Sequence, residues 1–295
     1  VRLINDYPNI LILCFILLLT IGIYGTLNLK VENSFVNYFK SNTEIYKGMK
    51  LIDDKLGGTT PLEIIIQFKE NDTGDSIDDD FLDFGFEYDP ADYWFTKEKM
   101  DLIKDIHDYI DRFEFTGKVL SLASVIRVAE GLNSDKEFDN LELSVIYKKL
   151  PKKLKSQILD PYLSIDKNQA RITVRMIDTN KNLKRNEFLN EINDKFQKEY
   201  NTQNFSILTT GILVLYNNML QSLFDSQISS LGTVMFGIFI MLMFLFKSWK
   251  LAMIGMLPNI IACMVILGIM GFANIPLDLM TITIAAITVG IAVDN

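Results

Sequence analysis

Four long stretches of this chain contain no Asp, Glu, Lys or Arg, and they constrain the fold more than any other feature. They cover residues 9–29, 228–246, 251–277 and 279–293. A helix needs about 20 apolar residues to cross a bilayer, so the first three stretches are long enough. The fourth is interrupted by Asp294, one residue before the end of the sequence. We predict membrane helices over residues 1–29, 226–247, 250–272 and 278–295.

Charged residues are concentrated between these stretches, in residues 30–225. The sequence is 49% hydrophobic and 22% charged, and the segregation of the two classes predicts one extramembranous domain, residues 30–225, on a membrane base. The net charge is -8, and residues 70–89 contain acidic side chains without any Lys or Arg. This balance disfavours nucleic acid as a partner.

The short loop after the second predicted helix sets the orientation. Its two charges are Lys247 and Lys250, and loops of this kind face the cytoplasm. We therefore expect residues 30–225 outside the cytoplasm, in a multi-pass protein of the cell's inner membrane. The first apolar run is long and lacks a small-residue cleavage site, which favours an uncleaved helix. Cys14 and Cys263 both lie in apolar runs, so neither a disulfide nor a metal site is predicted.

Hydrophobic periodicity predicts the elements of the domain. Alternating apolar residues predict strands at 62–68 and 171–176, and shorter strands are predicted near 119–122 and 205–208. Ile103, Ile106, Ile110 and Phe113 share a helical stripe after a Thr96 N-cap. A second stripe contains Phe188, Ile192 and Phe196, and a further helical segment is predicted at about 141–159. The order is that of a split βαβ unit, so we predict an α+β, ferredoxin-like domain.

Three features of the domain are candidate sites or candidate core elements. The acidic residues of 70–89 lack the spacing of a calcium loop, so a solvated loop is favoured over calcium binding. The interleaved aromatic residues, which end at Trp94, are predicted to cover the core, with an apolar surface as the alternative. His107 has no nucleophile pattern near it and is predicted to be a surface histidine. Because no catalytic, phosphate-binding or dinucleotide motif is present, we predict neither an enzyme nor a cofactor.

The last predicted helix carries one face of small residues. Thr283, Ala286, Gly290 and Asp294 are separated by three, four and four residues, and small residues allow close packing of helices in lipid. Asp294 would lie ~24 Å along the helix at 1.5 Å per residue, inside the hydrocarbon layer. An ionised carboxylate there costs at least ~2.5 kcal/mol. The simpler alternative is that the helix ends at Asp294 and the acid lies at the interface.

These two helices resemble a known transporter superfamily. The sequences LPNIIACMVILGIMGF and PLDLMTITIAAITVGIAVDN are similar to the third and fourth membrane helices of the resistance-nodulation-division (RND) superfamily, and Gly290-Ile-Ala-Val-Asp294 matches the pattern that ends the fourth. The layout resembles the first half of an RND transporter, with an external porter domain between its first and second helices. The domain's length resembles that of the lipid-handling branch, which includes Patched-like proteins and mycobacterial membrane protein large (MMPL) transporters.

The resemblance implies a proton-driven exporter of lipids or other hydrophobic amphiphiles. It implies that Asp294 takes part in proton relay, with partners from a second half that this sequence does not include, and that membrane lipids surround the helices. A homo-oligomer is left open, as are the substrate, the direction of movement and the coupling ion. The alternative function is a membrane receptor or a sterol-sensing-like regulatory protein. An intramembrane aspartyl protease is disfavoured, since its G-x-G-D motif is absent.

Overall fold

The chain divides into two units that we describe separately. The computed structural model describes residues 8–28, 34, 36, 39–69, 94–134, 136–200, 204–273, 275, 283 and 287, and only the backbone for residues 8–14, 141, 227 and 231. Contacts group Val1–Asn33 with Asn217–Asn295, which we call the helical unit. They group Ser34–Tyr216 into the sheet unit.

The sheet unit contains both helices and strands, whereas the helical unit contains long helices. The helices are α1 (Pro8–Leu27), α2 (Glu44–Lys55), α3 (Lys97–Asp111), α4 (Leu122–Leu132), α5 (Asn140–Lys149), α6 (Arg185–Lys195), α7 (Ile212–Phe246) and α8 (Trp249–Phe272). The strands are β1 (Thr60–Phe68), β2 (Thr116–Leu120), β3 (Leu163–Ser164), β4 (Gln169–Met176) and β5 (Phe205–Thr210). A helical turn, Lys152–Leu154, precedes the π-helix Lys155–Leu159, and Phe196–Tyr200 is a second π-helix.

The sheet is antiparallel, with strand order β2-β4-β1-β5, and β3 pairs with β4 beside this path. In the central pair, Ile64 of β1 lies opposite Ile172 of β4. Side chains of β1 alternate between buried and half-buried positions, as expected when one face of a sheet is covered. The predicted strands at 62–68 and 171–176 are therefore confirmed.

The covered face of the sheet packs against α3 and α6. Ile103, Ile106 and Ile110 of α3 are completely buried, and so is Ile192 of α6. The Thr96 side chain accepts a hydrogen bond from the Lys99 N–H and caps α3 at the predicted position. Both predicted helical stripes are thus confirmed as core-facing, except that Phe113 follows the end of α3 and is half-buried.

One local prediction in the sheet unit is wrong at its boundary. The strand predicted near 119–122 ends at Leu120, because Ser121 caps α4 and Leu122 begins that helix. The Ser121 side chain accepts a hydrogen bond from the Ala123 N–H at 3.1 Å, and the Ser124 hydroxyl oxygen accepts one from the Ser121 N–H. An apolar run that spans a strand end and a helix start has no periodicity to reveal the boundary.

The aromatic prediction is confirmed only at Trp94, which is buried in the core and packs edge-on against Phe68. The other aromatic residues of that segment, and the candidate calcium ligands, lie outside the described residues.

Among the described residues of the helical unit, two helices are long and apolar enough to cross a membrane, α7 with 35 residues and α8 with 24. The predicted span 250–272 coincides with α8, and the predicted span 226–247 lies almost entirely within α7. However, α7 begins at Ile212, so its first turns extend into the sequence assigned to the domain. The α1 backbone is helical over 20 residues within the predicted span 1–29.

Candidate functional sites of the two units

The carboxylate singled out by the sequence, Asp294, lies outside the described residues, and so do Ala286 and Gly290. Thr283 is described, and it is helical and exposed. The proton-relay assignment and the small helix-packing face therefore stay predictions.

Helices α1 and α8 make a backbone-to-backbone contact in the helical unit. The contact is formed by Gly22 and Gly25 of α1 and by Gly268 and Gly271 of α8. A Cβ added at Gly268 would lie 2.7 Å from the Gly22 Cα, and one added at Gly25 or Gly271 would overlap the opposite backbone carbonyl. Small residues permit such close approach in lipid, where packing rather than the hydrophobic effect drives association. Sequence analysis did not identify this contact, although two pairs of glycines at i, i+3 spacing are visible in the two apolar runs.

The sheet unit contains a buried carboxylate, Asp53, that accepts five hydrogen bonds. Its donors are the backbone N–H groups of Thr59, Asp178 and Thr179 and the hydroxyl groups of both threonines, at 2.7 to 2.9 Å. Burial alone would raise the Asp53 pKa, but the hydrogen bonds from Thr179, Thr59 and Asp178 together lower it below its ordinary value of 3.8. Asp53 therefore joins the end of α2 to the segment after β4.

A second buried carboxylate, Asp178, forms an ion pair with Arg185 at the start of α6. Asp178 also accepts a 2.6 Å hydrogen bond from the Ser34 hydroxyl and a 3.4 Å bond from the Val36 N–H. Arg185 further donates to the Asp178 carbonyl at 3.0 Å. The arrangement anchors the first residues of the sheet unit to its sheet and to α6. Because Asp178 and Arg185 are paired and hydrogen-bonded in this way, a structural role explains why two charges are buried here.

The prediction that His107 is a surface histidine is wrong. His107 is 6% exposed, and its Nδ1 lies 2.9 Å from the Ser121 hydroxyl. Burial lowers the His107 pKa, and the nearby Arg127 guanidinium lowers it further. A neutral imidazole bonded to the N-cap of α4 fits a structural role. Among the described residues, no group of three or more His, Cys, Asp or Glu side chains could hold a metal ion.

The comparisons with known proteins agree with the membrane assignment. No family model matches the chain. The chain is 23% identical over 293 residues to the Methanocaldococcus jannaschii protein named "Putative membrane protein MJ1562", and the match covers 98% of this chain and 70% of that protein. Together with the two apolar helices α7 and α8, this similarity supports one conclusion: the chain is a membrane protein with candidate transmembrane helices.

Proposed function

We propose that the chain corresponds to the first half of an RND-type transporter that exports lipids or other hydrophobic amphiphiles at the expense of a proton gradient. The sequence feature that carries the proposal is the position of Asp294, after an apolar run and on the small face predicted for Thr283, Ala286 and Gly290. Such a carboxylate is costly in hydrocarbon, and polar groups kept inside a membrane are generally functional.

The connectivity of the sheet unit supports the same proposal. With β3 set aside, the order of elements is β1-α3-β2 followed by β4-α6-β5, and the two first strands, β1 and β4, are adjacent and antiparallel at the centre of the sheet. This is the connectivity expected of a ferredoxin-like domain, which the RND porter domain resembles. The fold supports the assignment but does not define the substrate, because many unrelated functions use it.

In the proposed mechanism, Asp294 alternates between a neutral and an ionised form. The neutral form tolerates hydrocarbon, whereas the ionised form requires a partner or water. A helix arrangement that provides the partner is therefore favoured only when the proton has left. Alternation between two arrangements would move an amphiphile across or out of the membrane, and the external sheet unit would receive it.

Export by cells that produce the full-length protein tests the proposal. Asp294→Asn removes the titrating group but keeps the side-chain size, so we expect normal membrane insertion and loss of labelled-lipid export to an external acceptor. Asp278→Asn, at the start of the same predicted helix, is the matched control and should export normally. Export by Asp294→Asn that equals export by Asp278→Asn and by the unmodified protein, at matched protein levels, would refute the proposal. Ligand binding without export by any form of the protein would favour the receptor alternative.

A further inference from the structure

An apolar cleft opens in the sheet unit between α4 and α5. Its lining includes Phe95, Val125 and Ala129, together with Ile146, Tyr147 and Leu150 from the end of α5 and the residue after it. Its empty volume is about 380 Å³, counting the part open to solvent. Since the lining is almost entirely apolar, the cleft suits hydrocarbon.

Five lysines follow the cleft-lining residue Tyr147 within eight positions of the sequence. They are Lys148, Lys149, Lys152, Lys153 and Lys155, which we call the lysine cluster. No Asp or Glu occurs in residues 143–159, although the chain as a whole has a net charge of -8. Four of the five side chains are exposed, and Lys155 is half-buried. The local charge therefore opposes that of the rest of the molecule.

Contacts at Tyr147 join the lysine cluster to the cleft. The Lys155 Nζ lies 3.8 Å from the centre of the Tyr147 ring, and that ring stacks on Phe95 with their centroids 4.6 Å apart. A cationic group thus lies at the rim of an apolar cavity. An inorganic anion would not need the cavity, and a neutral hydrocarbon would not need the lysines. Both features are satisfied by one ligand with an apolar chain and an anionic head group.

We propose that this cleft binds a long-chain anionic amphiphile, with the acyl chain against Phe95, Ala129 and Ile146 and the head group beside the lysine cluster. This ligand would be a substrate of the transporter. That part of the inference rests on the proposed function, because it supposes that the bound molecule is moved. Binding itself requires no transport. Failure to bind would therefore contradict the cleft assignment, while the export test at Asp294 would still decide the transport function.

Quenching of Trp94 fluorescence measures occupancy of the cleft. The chain contains two tryptophans, and the Trp94 ring lies 5.2 Å from the Phe95 ring that lines the cleft. In the full chain with Trp249→Phe, held in phosphatidylcholine nanodiscs, Trp94 is the single indole. The probe is 9,10-dibromostearate, because bromine quenches indole only at close range, and its neutral methyl ester is the comparison ligand. We expect saturable quenching by dibromostearate.

Two sets of variants locate the site. Ala129→Phe fills the cleft and should abolish quenching. Joint Lys149→Gln, Lys152→Gln and Lys153→Gln should weaken dibromostearate binding by about tenfold or more, because each of these lysines attracts the anionic head group. Binding of the neutral methyl ester should not change. The matched control changes Lys47, Lys50 and Lys55, on the exposed side of α2, to Gln and should have no effect.

Three quenching results would overturn the proposal. The first is the absence of saturable quenching in the parent protein. The second is quenching in both Ala129→Phe and the lysine-cluster variant that equals quenching in the parent. The third is a weakening by the control set on α2 that equals the weakening by the lysine-cluster variant. The substituted lysines are exposed, so replacing them leaves the core intact. They therefore test amphiphile binding even if Ala129→Phe unfolds the sheet unit. If Ala129→Phe instead converts a dimer into a monomer, the occupant is a second copy of the chain and the amphiphile proposal is wrong.

Discussion

Gly25 of α1 and Gly268 of α8 lie so close that a Cβ added to Gly25 would overlap the Gly268 carbonyl. The neighbouring rings of Tyr24 and Phe272 lie on the same pair of helices, with their centroids 6.0 Å apart. Backbone contact of this kind is available only to glycine. The packing of α1 on α8 therefore depends on the absence of side chains at these positions.

Replacement of Gly268 by Ile should separate α1 from α8. The added side chain would overlap the α1 backbone, and overpacking of this kind typically costs about 1–3 kcal/mol. A cysteine pair at positions 24 and 272, in a background without Cys14 and Cys263, reports the contact through a short bifunctional cross-linker. We expect the cross-link to be lost in Gly268→Ile. Gly237→Ile is the control, because a Cβ at Gly237 meets no described atom within 4 Å. Retention of the cross-link in Gly268→Ile would contradict the contact.

Asp53→Asn should destabilise the sheet unit. The Asp53 carboxylate accepts all five of these hydrogen bonds. The NH₂ group of an asparagine amide cannot accept, so the N–H and hydroxyl donors that face it would lose their partner. We expect a loss of roughly 1.5–3 kcal/mol in the free energy of unfolding. The measurement is urea unfolding followed by Trp94 fluorescence in the Trp249→Phe background. Asp54→Asn, one residue away and exposed, is the control and should change little. Equal stability of the two variants would rule out the structural role of Asp53.

The same carboxylate predicts a pH dependence. Because the pKa of Asp53 is lowered in the folded protein, its contribution to stability is present above its ordinary pKa of 3.8 and is lost as the pH falls through the lowered value. Asp53→Asn should therefore reduce the stability difference between pH 5 and the acid range. An acid-induced loss of stability that is the same in both proteins would assign it to other carboxylates.

His107 predicts a second pH dependence in a separate window. Its pKa is lowered by burial, so the unfolded chain binds a proton below pH 6.5 before the folded chain does. Stability is therefore complete above pH 6.5 and falls as the pH decreases from 6.5 to the lowered pKa. His107 is the single histidine in the sequence, so His107→Gln should flatten the dependence of the free energy of unfolding on pH below 6.5. The measurement is urea unfolding followed by Trp94 fluorescence. An unchanged slope in the variant would show that His107 is not the titrating group.

The sequence predicted the regular parts of the sheet unit because they depend on periodicity. The alternation in β1 and β4 reflects burial of one sheet face, and Thr96 followed by the Ile103, Ile106 and Ile110 stripe specifies α3. His107 was misplaced although it follows Ile103 by four residues and precedes Ile110 by three. This spacing places His107 on the buried stripe, where its ring is accommodated by the bond to the Ser121 hydroxyl.

Long-range contacts account for what the sequence did not predict. The buried role of Asp53 depends on donors at Thr59 and at positions 178 and 179, which only the β1–β4 pairing brings together. Asp53 alone looks like any acid on an amphipathic helix. The cleft is equally invisible, since it forms where α4 and α5 meet and α4 was not predicted. No local pattern encodes a surface made by separate segments.

Membrane topology is a further prediction from the charges of Lys247 and Lys250. We expect the loop at Ser248 to face the cytoplasm and the sheet unit to lie outside. In a background without native cysteines, a membrane-impermeant maleimide should label Asn190→Cys, on the exposed side of α6, in intact cells. Ser248→Cys should react only after permeabilisation. The reverse pattern would invert the topology and remove the basis for an external porter domain.

The central claim is that Asp294 carries protons during transport, and proton movement coupled to substrate is its most direct measurement. Proteoliposomes that contain the full-length protein and an internal pH-sensitive dye would receive lysolipids with anionic, zwitterionic or neutral head groups, so that the result does not depend on the choice of one head group. We expect proton flux that depends on lysolipid in the unmodified protein and in Asp278→Asn. Asp294→Asn should show only the flux of empty liposomes. Lysolipid-dependent flux in Asp294→Asn equal to that of the unmodified protein would contradict the account.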